Sequence, residues 1–258
     1  MTGRLAQLAG MSSVRVVQLS DTHLAAADGV PPSVRRLLDW IADDPPDLVV
    51  ATGDLVEIDP DLEADRVFAR SVIGSLPCPW VAIPGNHDIG FFDEAERLSP
   101  RLAAFVGAWG DDRFAFDAAG WRFVGLNAYR LDDDGMDEWI APALDGSAPI
   151  AVFIHQPVAA EPSDGWEMPI AARDRFAELV AGRPVRLVAS GHRHCAVVRE
   201  RPGGPAAGDA VHVWAPSTTL TGETPYHGGD PTPGAVEFRF AGDGTFSHRF
   251  VSAADPAG

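Results

Sequence analysis

Five short polar clusters, each directly behind an apolar run, constrain this chain more than any other feature. They are Asp21-Thr22-His23, Gly53-Asp54, Gly85-Asn86-His87-Asp88, His155 in Ile154-His155-Gln156-Pro157, and Gly191-His192-Arg193-His194. The runs that precede them are Val14–Leu19, Leu48–Ala51, Trp80–Ile83, Ile150–Ile154 and Val185–Ser190, short and mostly aliphatic in the manner of buried strands. Ser33–Ala42, Leu62–Ile73 and Arg173–Val180 carry helical spacing, and so does Asp93–Gly107, which Pro100 is expected to break. Alternating strands and helices point to parallel strands covered on both faces, and loops at the carboxyl ends of such strands converge. One cluster would be an ordinary turn. Five in succession bring their side chains to one place.

The second half changes character. Arg113–Asp117 and Trp121–Leu126, around Ala118-Ala119-Gly120, read as a hairpin. Ala196–Arg199, Ala210–Trp214, Ala235–Phe240 and Thr245–Val251 read as antiparallel strands. Two sheets face to face with helices outside accommodate this order. The length of 258 residues suits one domain. Residues 1–13 are expected to form a flexible tail and 14–258 a single domain. Met1–Gly10 lacks the basic start, apolar run and cleavage site of a signal peptide, and no apolar stretch approaches the roughly 18 residues of a membrane span. The cytoplasm is the expected compartment, with Cys78 and Cys195 reduced. A homo-oligomer is left open.

Two carboxylates (Asp21, Asp54), one carboxamide (Asn86) and four imidazoles (His23, His155, His192, His194) make an oxygen and nitrogen donor set. It suits Mn, Fe, Zn, Co or Ni better than Mg or Ca. Seven donors exceed one ion's usual protein complement, so two ions are implied, with one carboxylate able to bridge them. A formal net charge of −17, from 20 Lys and Arg against 37 Asp and Glu, argues against a nucleic-acid track. Two divalent ions set against Asp21, Asp54 and one hydroxide leave a local charge of about +1, enough to draw in an anion despite the acidic surface.

In this order the clusters resemble the calcineurin-like metallophosphoesterase superfamily, whose pattern runs D-x-H, G-D, G-N-H-D/E, a lone H and G-H-x-H. The resemblance extends from Asp21 to His194 and implies an α/β fold, a four-layer α/β/β/α sandwich of two mixed sheets. It implies that Asp21, His23 and His194 hold one ion, that Asn86, His155 and His192 hold a second, and that Asp54 bridges them. The implied cofactors are two divalent or mixed-valence transition metal ions, Mn, Fe or Zn, and the implied partner is a small phosphate ester. His87 would be the acid that meets the leaving oxygen, oriented by Asp88, while a bridging hydroxide attacks phosphorus in line.

Within the superfamily the chain looks most like bacterial cyclic-nucleotide phosphodiesterase-like proteins. Where those often carry His-His-Pro-Pro this chain has His155-Gln156-Pro157, and Ile89-Gly90-Phe91-Phe92 follows Asp88 where acidic and basic residues are common. The expected reaction is hydrolysis of a small phosphodiester of nucleotide or glycerophospho type. A phosphomonoesterase acting on a nucleotide or sugar phosphate is the alternative; a nuclease, which the few cations disfavour, and a non-catalytic scaffold are the remaining readings.

Lesser candidates carry ordinary readings beside the functional ones. Arg193 and Arg130 could meet substrate phosphate or be solvated charges, and Asn127 and Tyr129 could line the cleft or shape a loop. His227 could overhang the metals or lie on the surface, while His212 and His248 fall inside strand patterns. The runs Asp43-Asp44, Asp111-Asp112 and Asp132–Asp134 read as solvated turns, since they lack the spacing of a calcium loop.

Overall fold

The computed structural model describes residues 5–57, 59–92, 95–133, 135–158, 166–200, 210–219 and 229–258. The strands are β1 Ser13–Leu19, β2 Leu48–Ala51, β3 Trp80–Ala82, β4 Phe114–Ala118, β5 Trp121–Leu126, β6 Ile150–Ile154, β7 Val185–Ser190, β8 Val197–Glu200, β9 Val211–Trp214, β10 Gly234–Ala241 and β11 Phe246–Ser252. The helices are α1 Pro32–Asp43, α2 Glu63–Gly74, α3 Asn86–Ile89, α4 Ala95–Trp109, α5 Met136–Ala143 and α6 Ile170–Val180. One sheet has the order β11-β10-β1-β2-β3 and the other β4-β5-β6-β7-β9-β8. Both are mixed. β1, β2 and β3 run parallel, as do β5, β6, β7 and β9, while β4, β8, β10 and β11 pair antiparallel at or toward the edges.

The side-chain alternation of the strands separates two cores. Val14 and Val16 of β1, Leu48 and Val50 of β2, and Ala151 and Phe153 of β6 point into a layer between the sheets, with Trp121, Phe123, Phe238 and Phe240. Their neighbours Val17, Leu19, Val49, Ala51, Val152 and Ile154 face outward onto helical residues such as Leu37, Ile41, Ile73, Ile140 and Phe176. Helices therefore cover the outer face of each sheet, which gives the four-layer α/β sandwich. Strands buried on both faces need near-continuous apolar sequence, as β2 and β6 have. Two bonds tie the sheets through the core: Gln18 Nε2 donates to Ser190 O at 3.1 Å, and Trp121 Nε1 to Ala241 O at 2.9 Å.

Two expectations are corrected. The flexible tail is not free over its described part: Ala6–Gly10 form a 3₁₀ turn, and Leu8 is buried in the inter-sheet core, with Leu5 and Met11 packed beside it. The helix read as broken at Pro100 is continuous over α4, which holds the proline inside it. The antiparallel reading of the late strands holds for β8 with β9 and for β10 with β11, while β9 also joins β7 in parallel. No helix among the described residues is long and apolar enough to cross a membrane.

Candidate metal centre

The carboxyl ends of β1, β2 and β3 in one sheet and of β6 and β7 in the other meet at one edge of the sandwich. Asp21 and His23 follow β1, Asp54 follows β2, Asn86 opens α3 behind β3, His155 follows β6, and His192 and His194 follow β7. One donor atom from each of Asp21, His23, Asp54 and His194 lies within 4.8 Å of the others, and the same holds for Asp54, His155 and His192. Asp54 belongs to both sets. Asn86 joins the second, its Oδ1 3.2 Å from His155 Nε2.

The lone pairs converge. His23 and His194 face each other Nε2 to Nε2 at 3.2 Å, and Asp21 Oδ1 is 3.2 Å from that nitrogen of His194. Asp54 Oδ2 is 3.3 Å from His155 Nε2. Three of the four imidazoles are oriented from behind by a backbone carbonyl: His23 Nδ1 by Glu57 O at 3.1 Å, His155 Nδ1 by Thr52 O at 2.7 Å, and His192 Nε2 by Trp166 O at 2.7 Å. A proton on the carbonyl-facing nitrogen leaves the opposite nitrogen as a donor toward the centre.

The backbone is bent to make this possible. Asp21, His23, Asp54, His192 and His194 all have positive φ, from 42° to 67°. That left-handed region costs a side-chain-bearing residue of order 1–2 kcal/mol, and such strain gathers at functional sites. Glycine supplies the clearance beside it. A Cβ on Gly85 would stand 2.2 Å from Asp54 Oδ1, so the glycine of the Gly-Asn-His-Asp motif lets that turn lie against the carboxylate.

The electrostatics favour positive charge at the centre. Burial opposes ionising Asp21, yet the hydrogen bond from His194 and its charge bring the carboxyl down to about 2. Burial likewise opposes a charged His155, but Asp54 beside it lifts the imidazole to about 9. Burial together with the charge of His155 lowers His192 to about 3. Two buried carboxylates thus stay ionised and draw positive charge onto the donors between them. A buried, mixed carboxylate and imidazole set of this shape fits two transition metal ions.

The family profile described as calcineurin-like phosphoesterase matches residues 14–196. The chain belongs to that family. This phosphoesterase is 28% identical over 232 residues to a probable cyclic nucleotide phosphodiesterase of Synechococcus, covering 83% of this chain and 84% of the relative. It is 32% identical over 213 residues to a 3',5'-cyclic adenosine monophosphate phosphodiesterase of Pseudomonas aeruginosa, covering 74% and 73%. A serine/threonine-protein phosphatase of Mus musculus is 29% identical over 171 residues, 58% of this chain and 54% of its own. Among solved structures, the purple acid phosphatase of yellow lupin (Lupinus luteus) seeds shares the fold with a TM-score of 0.69 at 16% identity, over 96% of this chain and 53% of that one.

Other site residues lie where the sequence did not place them. Asp88 does not meet the His87 ring: its Oδ2 accepts from Gly85 N at 2.9 Å and its Oδ1 from Leu55 N at 3.0 Å, so it braces the loop behind Asp54. Burial, with Asp54's charge, raises this carboxyl to about 7. Asn127 and Arg130 are committed to structure. Asn127 donates to Asp112 at 2.9 Å and caps Tyr129 N, while Arg130 pairs with Asp133 at 2.6 Å and Asp112 at 3.3 Å. Asp112, read as part of a solvated turn, is the buried anchor of that network. Arg193 is buried between its two histidines and is no surface charge. His227 lies outside the described residues. Tyr129, read as able to line the cleft, and Gln156, read as a departure from the family pattern, bond to each other beside His155.

Proposed function

We propose that this phosphoesterase hydrolyses a small phosphodiester at a two-ion centre, with Asp21, His23 and His194 holding one ion, Asn86, His155 and His192 the other, and Asp54 both. The observation that carries this reading is Asp54, one carboxylate shared by two buried donor clusters. When bound, two divalent ions supply an activated water nucleophile and offset charge on the phosphoryl oxygens.

His87 has the acid's part. Its backbone N–H is fixed to Asp54 Oδ1 at 2.8 Å, and its Nε2 lies 4.0 Å from Asp54 Oδ2, beside the ion positions without belonging to either donor cluster. Its Nδ1 has no partner among the described residues, and its ring meets His23 edge-on at 4.7 Å. As the P–O bond to the leaving group breaks, the departing oxygen takes a proton from this imidazole.

A diester is favoured by the two phosphodiesterases, which this chain matches over most of their length; the mouse phosphatase, matched over about half, supports the monoester alternative. The test is a panel of phosphate monoesters and diesters assayed with Mn²⁺, Fe²⁺ or Zn²⁺ restored to chelator-stripped protein. A higher kcat/KM on diesters is expected. Preference for monoesters would establish the alternative, and no turnover with two ions bound would leave a scaffold.

A further inference from the structure

Ser20 precedes Asp21 at the end of β1 and is fully buried. Its hydroxyl donates to Asp21 Oδ2 at 2.5 Å, and the backbone N–H of His192 reaches both carboxylate oxygens, Oδ2 at 3.0 Å and Oδ1 at 3.2 Å. The other oxygen, Oδ1, is the one that faces His194 at 3.2 Å and His23 at 4.0 Å. The carboxylate is thus uneven: Oδ2 takes the hydroxyl and the shorter amide contact from behind, while Oδ1, with the longer amide contact, is turned to the centre. Space for this arrangement is reserved across the sheets, because a Cβ on Gly191 would fall 1.8 Å from Ser20 Oγ and 2.5 Å from Asp21 Oδ2. The Asp21 main chain is pinned as well, its carbonyl accepting from Ser217 Oγ at 2.7 Å and its N–H donating to Gly53 O at 3.0 Å.

We propose that Ser20 is a positioning residue that makes Asp21 a one-oxygen donor and so sets the affinity of the first ion position. The inference rests on the two-ion reading above. A carboxylate with two free oxygens can rotate or chelate an ion through both; one whose Oδ2 is engaged by a hydroxyl, with an amide shared behind both oxygens, turns Oδ1 to the ion in a fixed direction. Partners behind a ligand contribute orientation, and their loss typically weakens metal binding by roughly 10–100-fold. Asp21 is not among the second position's donors and meets that position only through the His192 N–H, a bond that Ser20→Ala leaves in place, so the change falls on the first.

The experiment is a Mn²⁺ titration of chelator-stripped full-length protein, with free ion followed by electron paramagnetic resonance, comparing wild type with Ser20→Ala. Wild type should bind two ions. Ser20→Ala should keep the second with unchanged affinity and lose roughly 10–100-fold at the first. Melting of the metal-free variant separates this from misfolding: a lower Tm with both affinities intact would make Ser20 merely structural and overturn the proposal. Equal losses at both positions would overturn it too. Wild type binding no ion, or one, would instead bring down the two-ion reading itself. Ser20→Thr retains a hydroxyl, and recovery of the first affinity in that variant would add support.

Discussion

Asp54 and His87 are joined through the main chain: the His87 N–H donates to Asp54 Oδ1 at 2.8 Å, which leaves Oδ2 to face His155 Nε2 at 3.3 Å. One oxygen therefore fixes the turn that carries the candidate acid, and the other serves the centre. Asp54→Ala is expected to lose both ions, because the shared donor goes. Asn86→Ala should weaken mainly the second. Elemental analysis of protein purified without chelator would decide, and an Asp54→Ala protein retaining two ions would refute the bridge.

Removal of the His87 imidazole should leave both ions bound. An alkoxide leaves poorly without a proton, whereas a nitrophenolate is stable near neutral pH. General acid catalysis contributes roughly 10²–10⁴-fold, so His87→Ala should lose about that much on an alkyl diester and clearly less on an activated aryl diester. Equal losses on the two, with metal content unchanged, would mean that His87 steadies phosphoryl charge and is no acid.

His194 has φ 52° and a side chain 21% exposed. His194→Gly and His194→Ala remove the same ligand, but only alanine keeps a Cβ in the left-handed region. Compared without metal, the glycine variant should be more stable by about 1 kcal/mol, or roughly 2–4 °C in Tm for a chain of this size. Coinciding melting curves would show that the backbone at this position holds no strain.

Leu8 is 4% exposed within the inter-sheet core. Leu8→Ala should cost about 2–5 kcal/mol in urea unfolding, and a chain beginning at Met11 should lose at least as much. Unchanged unfolding would return the segment to the status of a dispensable tail.

Glu237 on β10 is held by Arg15 Nε at 2.8 Å, with Arg239 and Arg249 at its other oxygen. Burial alone would raise its carboxyl, yet the hydrogen bonds and charges of Arg249 and Arg15 hold it below its ordinary value of 4.5. A depressed folded-state value contributes stability that is complete above the unfolded-state pKa and disappears as pH falls through the folded one. Glu237→Gln should therefore lower stability by about 1.5–3 kcal/mol at pH 7, and the deficit should close as both proteins are acidified below about pH 4. A deficit that stays constant with pH would point to packing.

The strand ends and the seven donors were legible because both follow from local sequence: a Val- and Ile-rich run, then a polar break. Side-chain direction was less legible. Asp88 adjoins His87 in sequence, but consecutive residues of the α3 turn project to different sides, so it reaches Gly85 and Leu55 instead. Asp112 read as solvated because nothing local shows that Asn127 and Arg130, from beyond β5, will close over it. Leu5 and Leu8 make too short an apolar pattern to announce a turn, and only the packed sheets reveal where they go. Ser20 was invisible for a similar reason, since its importance depends on Gly191 arriving from the other sheet.

Asp21, His23, Asp54 and Asn86 hang from the five-stranded sheet, while His155, His192 and His194 hang from the six-stranded one. Each ion position draws on both. Ions seated there would act as rivets across the open edge of the sandwich, opposite in effect to a hinge. Without metal, that edge rests on the apolar layer behind it and on the bonds that cross it, such as Gln18 to Ser190 and the His192 N–H to Asp21, with main-chain conformations that resist being kept. Mechanical rigidity and reactivity would then rise and fall together with the supply of two ions.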